Sequence, residues 1–287
     1  MADSRVGPLA MKACDPREQF AELARLPDAK IDTALAALWI AAEEYGSLDP
    51  QVTLSRLDAL AAAAAPSLGE ASNDAERAER LLHFLHTEQG FVGNEKSYDD
   101  PCNSFLNVVL ERRTGIPITL SLVLVEVARR IGLPLRGVSF PGHFLVKLEG
   151  PELRVLDPFH GRILELADCR ARLHAAFGLD APFQPELQLR AATPREILVR
   201  MLTNLKHLHL RARDFGRTLA CCERILMLLP DAPLELRDRG LVYERLECFA
   251  AAAHDLERFL QLAPEDESAA AIRERLHALR TRPQRLH

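Results

Sequence analysis

The segment from Pro117 to Ile131, PITLSLVLVEVARRI, limits what this chain can fold into more than any other. Its opening proline fits a first helical turn, where a missing N–H costs least, and Gly132-Leu133-Pro134 ends it. Leu120, Leu122, Val123, Leu124, Val125, Val127, Ala128 and Ile131 spread over almost every side of such a helix, with polarity only at Glu126, Arg129 and Arg130. A helix of that kind must be covered by other elements. Its start, Pro117 to Ser121, presents oriented N–H groups and a positive dipole end, which favour a thiolate or a developing oxyanion.

The preceding chain reads as helices that could do the covering. Residues 1–15 are expected to be a disordered start. A helix then begins at about Asp15 with Pro16 in its first turn, and a stripe of Ile31, Leu35, Leu38, Ala42 and Tyr45 stops at Gly46. Val52 to Ala65 gives another, closed by Pro66. A fourth starts at Asn73, with Glu76 completing a capping box, and runs to near Gly90. His83 and His86 on it read as helix-face residues. Gly90 to Pro101 reads as a loop, and Asn103 or Ser104 caps a helix to about Arg113 with Gly115 as its C-cap.

After the central helix, Leu135 to Phe140 reads as a strand, broken by Pro141-Gly142. His143–Leu148 and Leu153–Asp157 form a hairpin in which Leu148 faces Glu152, Val146 faces Arg154 and Phe144 faces Leu156. That register sets His143 opposite Asp157, within side-chain reach. An aspartate there fixes the imidazole tautomer and stabilises the imidazolium. His143, Asp157 and His160 match no usual ligand spacing, so no metal or other cofactor is expected. Ala167–Phe177 is helical, residues 182–193 form a linker with a short strand at Leu187–Leu189, and Thr193-Pro194-Arg195-Glu196 is a strong helix start.

The C-terminal third repeats itself. Phe215 and Phe249, Glu223 and Glu257, Leu226 and Leu260, and Pro230 and Pro264 each lie 34 residues apart. That is the period of the helix–turn–helix tetratricopeptide repeat, with Leu236, Gly240, Tyr243 and Ala252 at its patterned positions. In the earlier repeat Lys206 stands where a small residue belongs. Two repeats and a capping helix from Ser268 to Arg280 are few for a free-standing solenoid, so they are expected to lean on the first domain. Cys221-Cys222 reads as core.

Composition removes several classes of function. A net charge of −5 with dispersed basic residues gives no footprint for nucleic acid. No apolar run reaches membrane-spanning length, and no signal-peptide core precedes Asp15. Six cysteines at irregular spacing form neither a disulfide framework nor a zinc knuckle, so a reducing cytoplasmic setting is expected.

The stretch RRTGIPITLSLVLVEVARRIGLPLRGVSFPGHFLVKL followed by VLDPF resembles the bacterial SirB proteins of the transglutaminase-like superfamily. AAEEYGSLDP, RDRGLVYERL and HDLERFL extend the resemblance over nearly the whole chain. It implies an α+β, mostly helical fold: a papain/transglutaminase-like core with a small antiparallel sheet over residues 16–181, then tetratricopeptide-like repeats over 194–287. His143 and Asp157 match that family's histidine and aspartate. The nucleophilic cysteine, which active enzymes carry at the start of the central helix, has no match at Pro117 to Thr119. Thr119 and Ser121 are the nearest hydroxyls, and Cys102 lies upstream of a different helix. Two readings follow. One is a non-catalytic or regulatory scaffold, a pseudoenzyme whose cleft binds peptide while the repeats grip a protein partner. The other is an amide or ester hydrolase or acyltransferase using Thr119, Ser121 or Cys102, with His143 as base and Asp157 as its orienter. In either case Asn94, Tyr98 and Asn103 are expected to line the pocket, and Tyr243 the repeat groove.

Overall fold

A computed structural model describes residues 15–69 and 71–281. The expected disordered start lies outside the described residues apart from Asp15, whose carboxylate instead caps α1 (Pro16–Ala24) by accepting from the Arg17 N–H. Asp32 caps α2 (Thr33–Glu44) in the same manner. Helix α3 (Pro50–Leu68) runs two residues past Pro66, which sits inside its last turn rather than closing it. Asn73 accepts from the Glu76 N–H to start α4 (Asp74–His83), and a π-turn over Phe84–Glu88 prolongs it.

The segment read as a plain loop does more than connect. Val92–Gly93 (β1) pairs in parallel with Thr114–Gly115 (β2), so Gly115 belongs to a strand. The C-cap of α5 (Leu106–Arg112) is Arg113, in the left-handed conformation. Neither Asn103 nor Ser104 caps α5; both lie in a 3-10 turn over Pro101–Ser104, and Phe105 takes the N-cap position without a side-chain bond. Helix α6 (Pro117–Arg130) is the covered element the sequence demanded, with Thr119 and Ser121 at 0% exposure. Even Glu126 is buried, held by Arg130 at 2.6 Å and Arg129 at 2.9 Å.

Leu135–Val138 (β3), Leu145–Leu148 (β4), Val155–Asp157 (β5) and Arg162–Leu164 (β6) make an antiparallel sheet in that order. Strand β6 was not anticipated. The β4–β5 register pairs Val146 with Leu156 and Lys147 with Val155, two residues away from the expected one. The tight Glu149–Glu152 turn is replaced by a longer loop, with the Leu148 N–H donating to the Arg154 carbonyl. A slip of two keeps every side chain on its face, where a slip of one would have inverted them all. After α7 (Leu166–Phe177) the expected strand near Leu187 is a short helix, α8 (Pro185–Gln188). The linker is packed down: Leu189 is buried, and the Ala192 N–H donates to the Gly137 carbonyl at 2.8 Å.

The repeats are α9 (Pro194–Arg211), α10 (Phe215–Leu228), α11 (Pro233–Arg245) and α12 (Phe249–Leu262), followed by α13 (Ala269–Thr281). The repeated phenylalanines are the first residues of α10 and α12, and the repeated prolines lie just beyond their ends. Lys206, the misfit in the pattern, is 5% exposed and bridges α9 to α11 through Glu235 at 2.7 Å and Asp238 at 2.8 Å. The expected buttressing is present. One apolar cluster runs from Phe20 and Leu38 through α6 to Leu198, Leu202 and Ile225. Ion pairs Arg17–Glu223, Arg217–Glu44, Arg224–Glu43 and Arg211–Asp99 join the early chain to α9 and α10.

Candidate functional site

Three short devices bring the polar residues of the core together. A turn closes with the His143 N–H donating to the Phe140 carbonyl at 3.0 Å, and its central residues are Pro141 and Gly142, the latter at φ +70°. Proline followed by a positive-φ glycine is what a type II turn requires. His143 therefore leaves the turn just before β4 rather than within it. Asp157 ends β5 and is fully buried. Its Oδ1 accepts from the Phe159 N–H at 3.2 Å, an aspartate-capped turn that throws His160 back over the carboxylate. Gly161 follows at φ +63°, where an added Cβ would fall 2.3 Å from the His86 ring.

The result is a carboxylate shared among cations and imidazoles. Asp157 Oδ1 lies 3.1 Å from His143 Nε2, while Oδ2 lies 2.7 Å from His160 Nδ1 and 2.7 Å from Arg172 NH2. His143 thus reaches Asp157 diagonally rather than from the directly opposed position. An ionised carboxylate only accepts, so both ring nitrogens facing it carry hydrogens and His143 Nδ1 carries a lone pair. Burial alone would raise the Asp157 pKa, but hydrogen bonds and charge from His143 and then His160 hold it at about 2. Burial pushes the His143 imidazole below its ordinary value, against the opposing pull of Asp157. The two imidazoles are stacked 5.8 Å apart, and Phe159 stands edge-on to both. His86, also shifted down chiefly by burial, feels Asp157 and His160.

None of the three candidate attacking atoms is hydrogen-bonded to His143. Thr119 Oγ accepts from the Ile116 N–H at 3.2 Å and donates to the Asn103 carbonyl at 2.7 Å, so it caps α6 and anchors the preceding loop. Ser121 Oγ is buried with no hydrogen-bond partner among the described residues. Cys102 Sγ lies 3.7 Å from the Tyr45 hydroxyl, whose pKa is pushed up to about 12 by burial and then by that contact. Asn94 and Asn103 spend their amides on the loop: Asn94 Nδ2 donates to Asn103 Oδ1 at 3.0 Å, and Asn103 Nδ2 donates to the Ser97 carbonyl at 2.7 Å. Tyr98 is half exposed, with its ring 6.1 Å from Phe159, which connects it to the His143 cluster.

The structure brings His143 and Asp157 within hydrogen-bond reach, as the hairpin reading expects, and adds Arg172 and His86, which no motif marks. Arg172 reaches Asp157 from α7, and no spacing rule marks such a contact. His86, expected on a helix face, lies instead against Gly161, carried there by the π-turn. The glycine of DPFHG was the one available hint.

In the repeats, a cavity of about 530 Å³ opens among α9, α10, α11 and α13. Leu210, Phe215, Leu241 and Val242 form apolar wall, and Arg213 and Arg245 add positive charge. Tyr243 stands outside this lining. Its hydroxyl donates to Glu223 at 3.4 Å and Arg239 lies 5.7 Å over its ring, so it packs the repeats together.

Fold and site define the class: a transglutaminase-like core followed by tetratricopeptide repeats. The family description "Transglutaminase-like superfamily" matches residues 51–203, and "Tetratricopeptide repeat" matches 205–277. Within that class the chain belongs to the SirB1/UPF0162 family. It is 39% identical to a UPF0162 protein of Xylella fastidiosa over 88% of this chain and 91% of that one. A UPF0162 protein of Pseudomonas aeruginosa is 36% identical over 92% and 96%. Protein SirB1 of Salmonella typhimurium is 30% identical over 84% and 90%. Among solved structures, menin aligns over 93% of this chain and 75% of its own with a TM-score of 0.42 and 10% identity, too distant to carry an argument. No helix among the described residues is long and apolar enough to cross a membrane.

Proposed function

We propose that this protein is a non-catalytic, regulatory scaffold with respect to acyl transfer: the core keeps the histidine–aspartate pair as part of a binding cleft, and the repeats receive a protein partner. The observation that carries this reading is that none of Thr119, Ser121 and Cys102 is hydrogen-bonded to His143. Thr119 is used as a helix cap and Cys102 faces Tyr45, while His143 has Asp157 as its hydrogen-bond partner. A hydroxyl attacks only when a base within hydrogen-bond reach takes its proton. The repeat cavity supplies the partner-binding half, with apolar wall and an excess of positive charge suited to an acidic, partly apolar segment. A cytoplasmic setting belongs to the same proposal, in keeping with free cysteines at Cys102, Cys169, Cys221, Cys222 and Cys248.

Two measurements test it together. Purified protein assayed over a broad amide and ester panel is expected to give no turnover above the uncatalysed rate. A photo-crosslinking residue in place of Leu241 is expected to give a discrete protein adduct in cells, lost when Val242→Glu puts a charge into the cavity. Turnover abolished by His143→Ala would overturn the reading, and so would the absence of any cavity-dependent adduct.

A further inference from the structure

We propose that His143, Asp157 and His160 form a binding site for a divalent transition-metal cation of the zinc type. The inference goes beyond the scaffold reading and stands independently of it. One ligand atom from each of the three residues lies within 4.8 Å of the other two. Two imidazoles and one carboxylate form the donor set that borderline cations take with a coordination position left open, whereas calcium and magnesium prefer oxygen alone. Ligand atoms around a tetrahedral zinc ion lie roughly 3.3 Å apart, given metal–ligand distances of about 2 Å. Side-chain swings on the order of an ångström close the set, with the ion replacing the hydrogens that the two ring nitrogens direct at Asp157 and each imidazole keeping its proton on the far nitrogen.

The surroundings suit such a site. Asp157 is fully buried at a strand end and His143 is 9% exposed beyond its turn, so two donors are held in place before an ion arrives. His160 is about one-third exposed on its side chain and lies at the solvent edge, the side from which an ion enters. Asp157 Oδ1 faces His143 Nε2 and Oδ2 faces His160 Nδ1, so the carboxylate sits between the two ring nitrogens, while Arg172 holds Oδ2 at 2.7 Å. The guanidinium then serves as the outer partner that orients a ligating carboxylate. Glu95 Oε1 lies 3.8 Å from His160 Nε2, the ring edge turned away from Asp157, so it is placed to accept from that nitrogen and orient the ring. The spacing rule that argued against a metal describes ligands gathered on one helix or one knuckle. Here they come from a turn, a strand end and the turn that follows it.

The test uses the untagged full chain, stripped with a chelator and titrated with Zn2+ by calorimetry, and with Co2+ by visible absorption. The expected result is one ion per chain, a cobalt spectrum with nitrogen–oxygen ligation, and binding about 100-fold or more weaker in His160→Ala and His143→Ala. His83→Ala and Cys248→Ser, which change other metal-capable side chains, are expected to bind as the unaltered chain does. Should His143→Ala fail to fold, His160→Ala at the solvent edge carries the test by itself. No one-to-one binding, or binding that survives loss of His160, overturns the proposal.

Discussion

Asp157 in the core and Lys206 in the repeats are both ionised groups taken out of water, and their neighbourhoods are built in opposite senses. Around Lys206 two carboxylates close on a single ammonium. Burial pulls the Lys206 pKa down, but the hydrogen bonds it donates to Asp238 and Glu235 outweigh it and hold the group above its ordinary value. Both bonds of the ammonium run from α9 to α11, so they fix how the two helices pack. Around Asp157 one carboxylate is shared by a guanidinium and two imidazoles, and the far nitrogen of His160 faces Glu95 at 3.8 Å. One buried charge is consumed by the fold, while the other leaves His143 Nδ1 without a hydrogen-bond partner among the described residues.

The largest effect is expected at Asp157. Asp157→Ala strands Arg172 beside two imidazoles, and breaking a buried pair of this kind costs about 3–5 kcal/mol. Urea denaturation followed by circular dichroism should record that loss, and a cost under about 1 kcal/mol would mean the cluster is not the buried network described. Lys206→Ala leaves Glu235 buried without its counter-ion, for an expected loss of about 3 kcal/mol at the lower end of the same range. That loss should appear in the repeats, as faster amide exchange in α9 and α11 than in the sheet.

Smaller effects sharpen the two halves. Gly240→Ala places a Cβ 2.9 Å from Leu256 where α11 packs on α12, an overpacking expected to cost about 1–3 kcal/mol by thermal unfolding. Thr119→Ala removes the cap on α6 and should cost about 1 kcal/mol, whereas a nucleophilic Thr119 would lose all activity with little change in stability. Smallest is a reactivity contrast among thiols. Burial raises the Cys221 pKa to about 12, so iodoacetamide on native protein at pH 8 is expected to modify exposed Cys248 and spare Cys221, as peptide mass mapping would report.

How far the sequence carried differs between the regions for physical reasons. Periodic features were legible: the all-round apolar helix, the 34-residue repeat and the capping signals at Asn73 and Thr193 all fix local structure by themselves. The hairpin was half legible. Alternation fixed the faces of His143 and Asp157, but register depends on loop length, and the longer loop shifted the pairing by two. Contacts made across the chain were not legible. Nothing local to Arg172 announces Asp157, nothing near Lys206 announces Glu235 twenty-nine residues on, and the β1–β2 pairing of Val92 with Thr114 has no pattern in either segment. The π-turn that carries His86 to Gly161 was equally silent, since a helix with one wider turn looks in sequence like any other helix.

Chemical labelling decides whether the imidazole of His143 serves an attacking atom in this chain. Intact-mass and peptide mapping after fluorophosphonate and iodoacetamide treatment, compared between the unaltered protein and His143→Ala, should show the same adducts in both. An adduct on Thr119, Ser121 or Cys102 that forms in the unaltered protein and disappears in His143→Ala would contradict the scaffold reading.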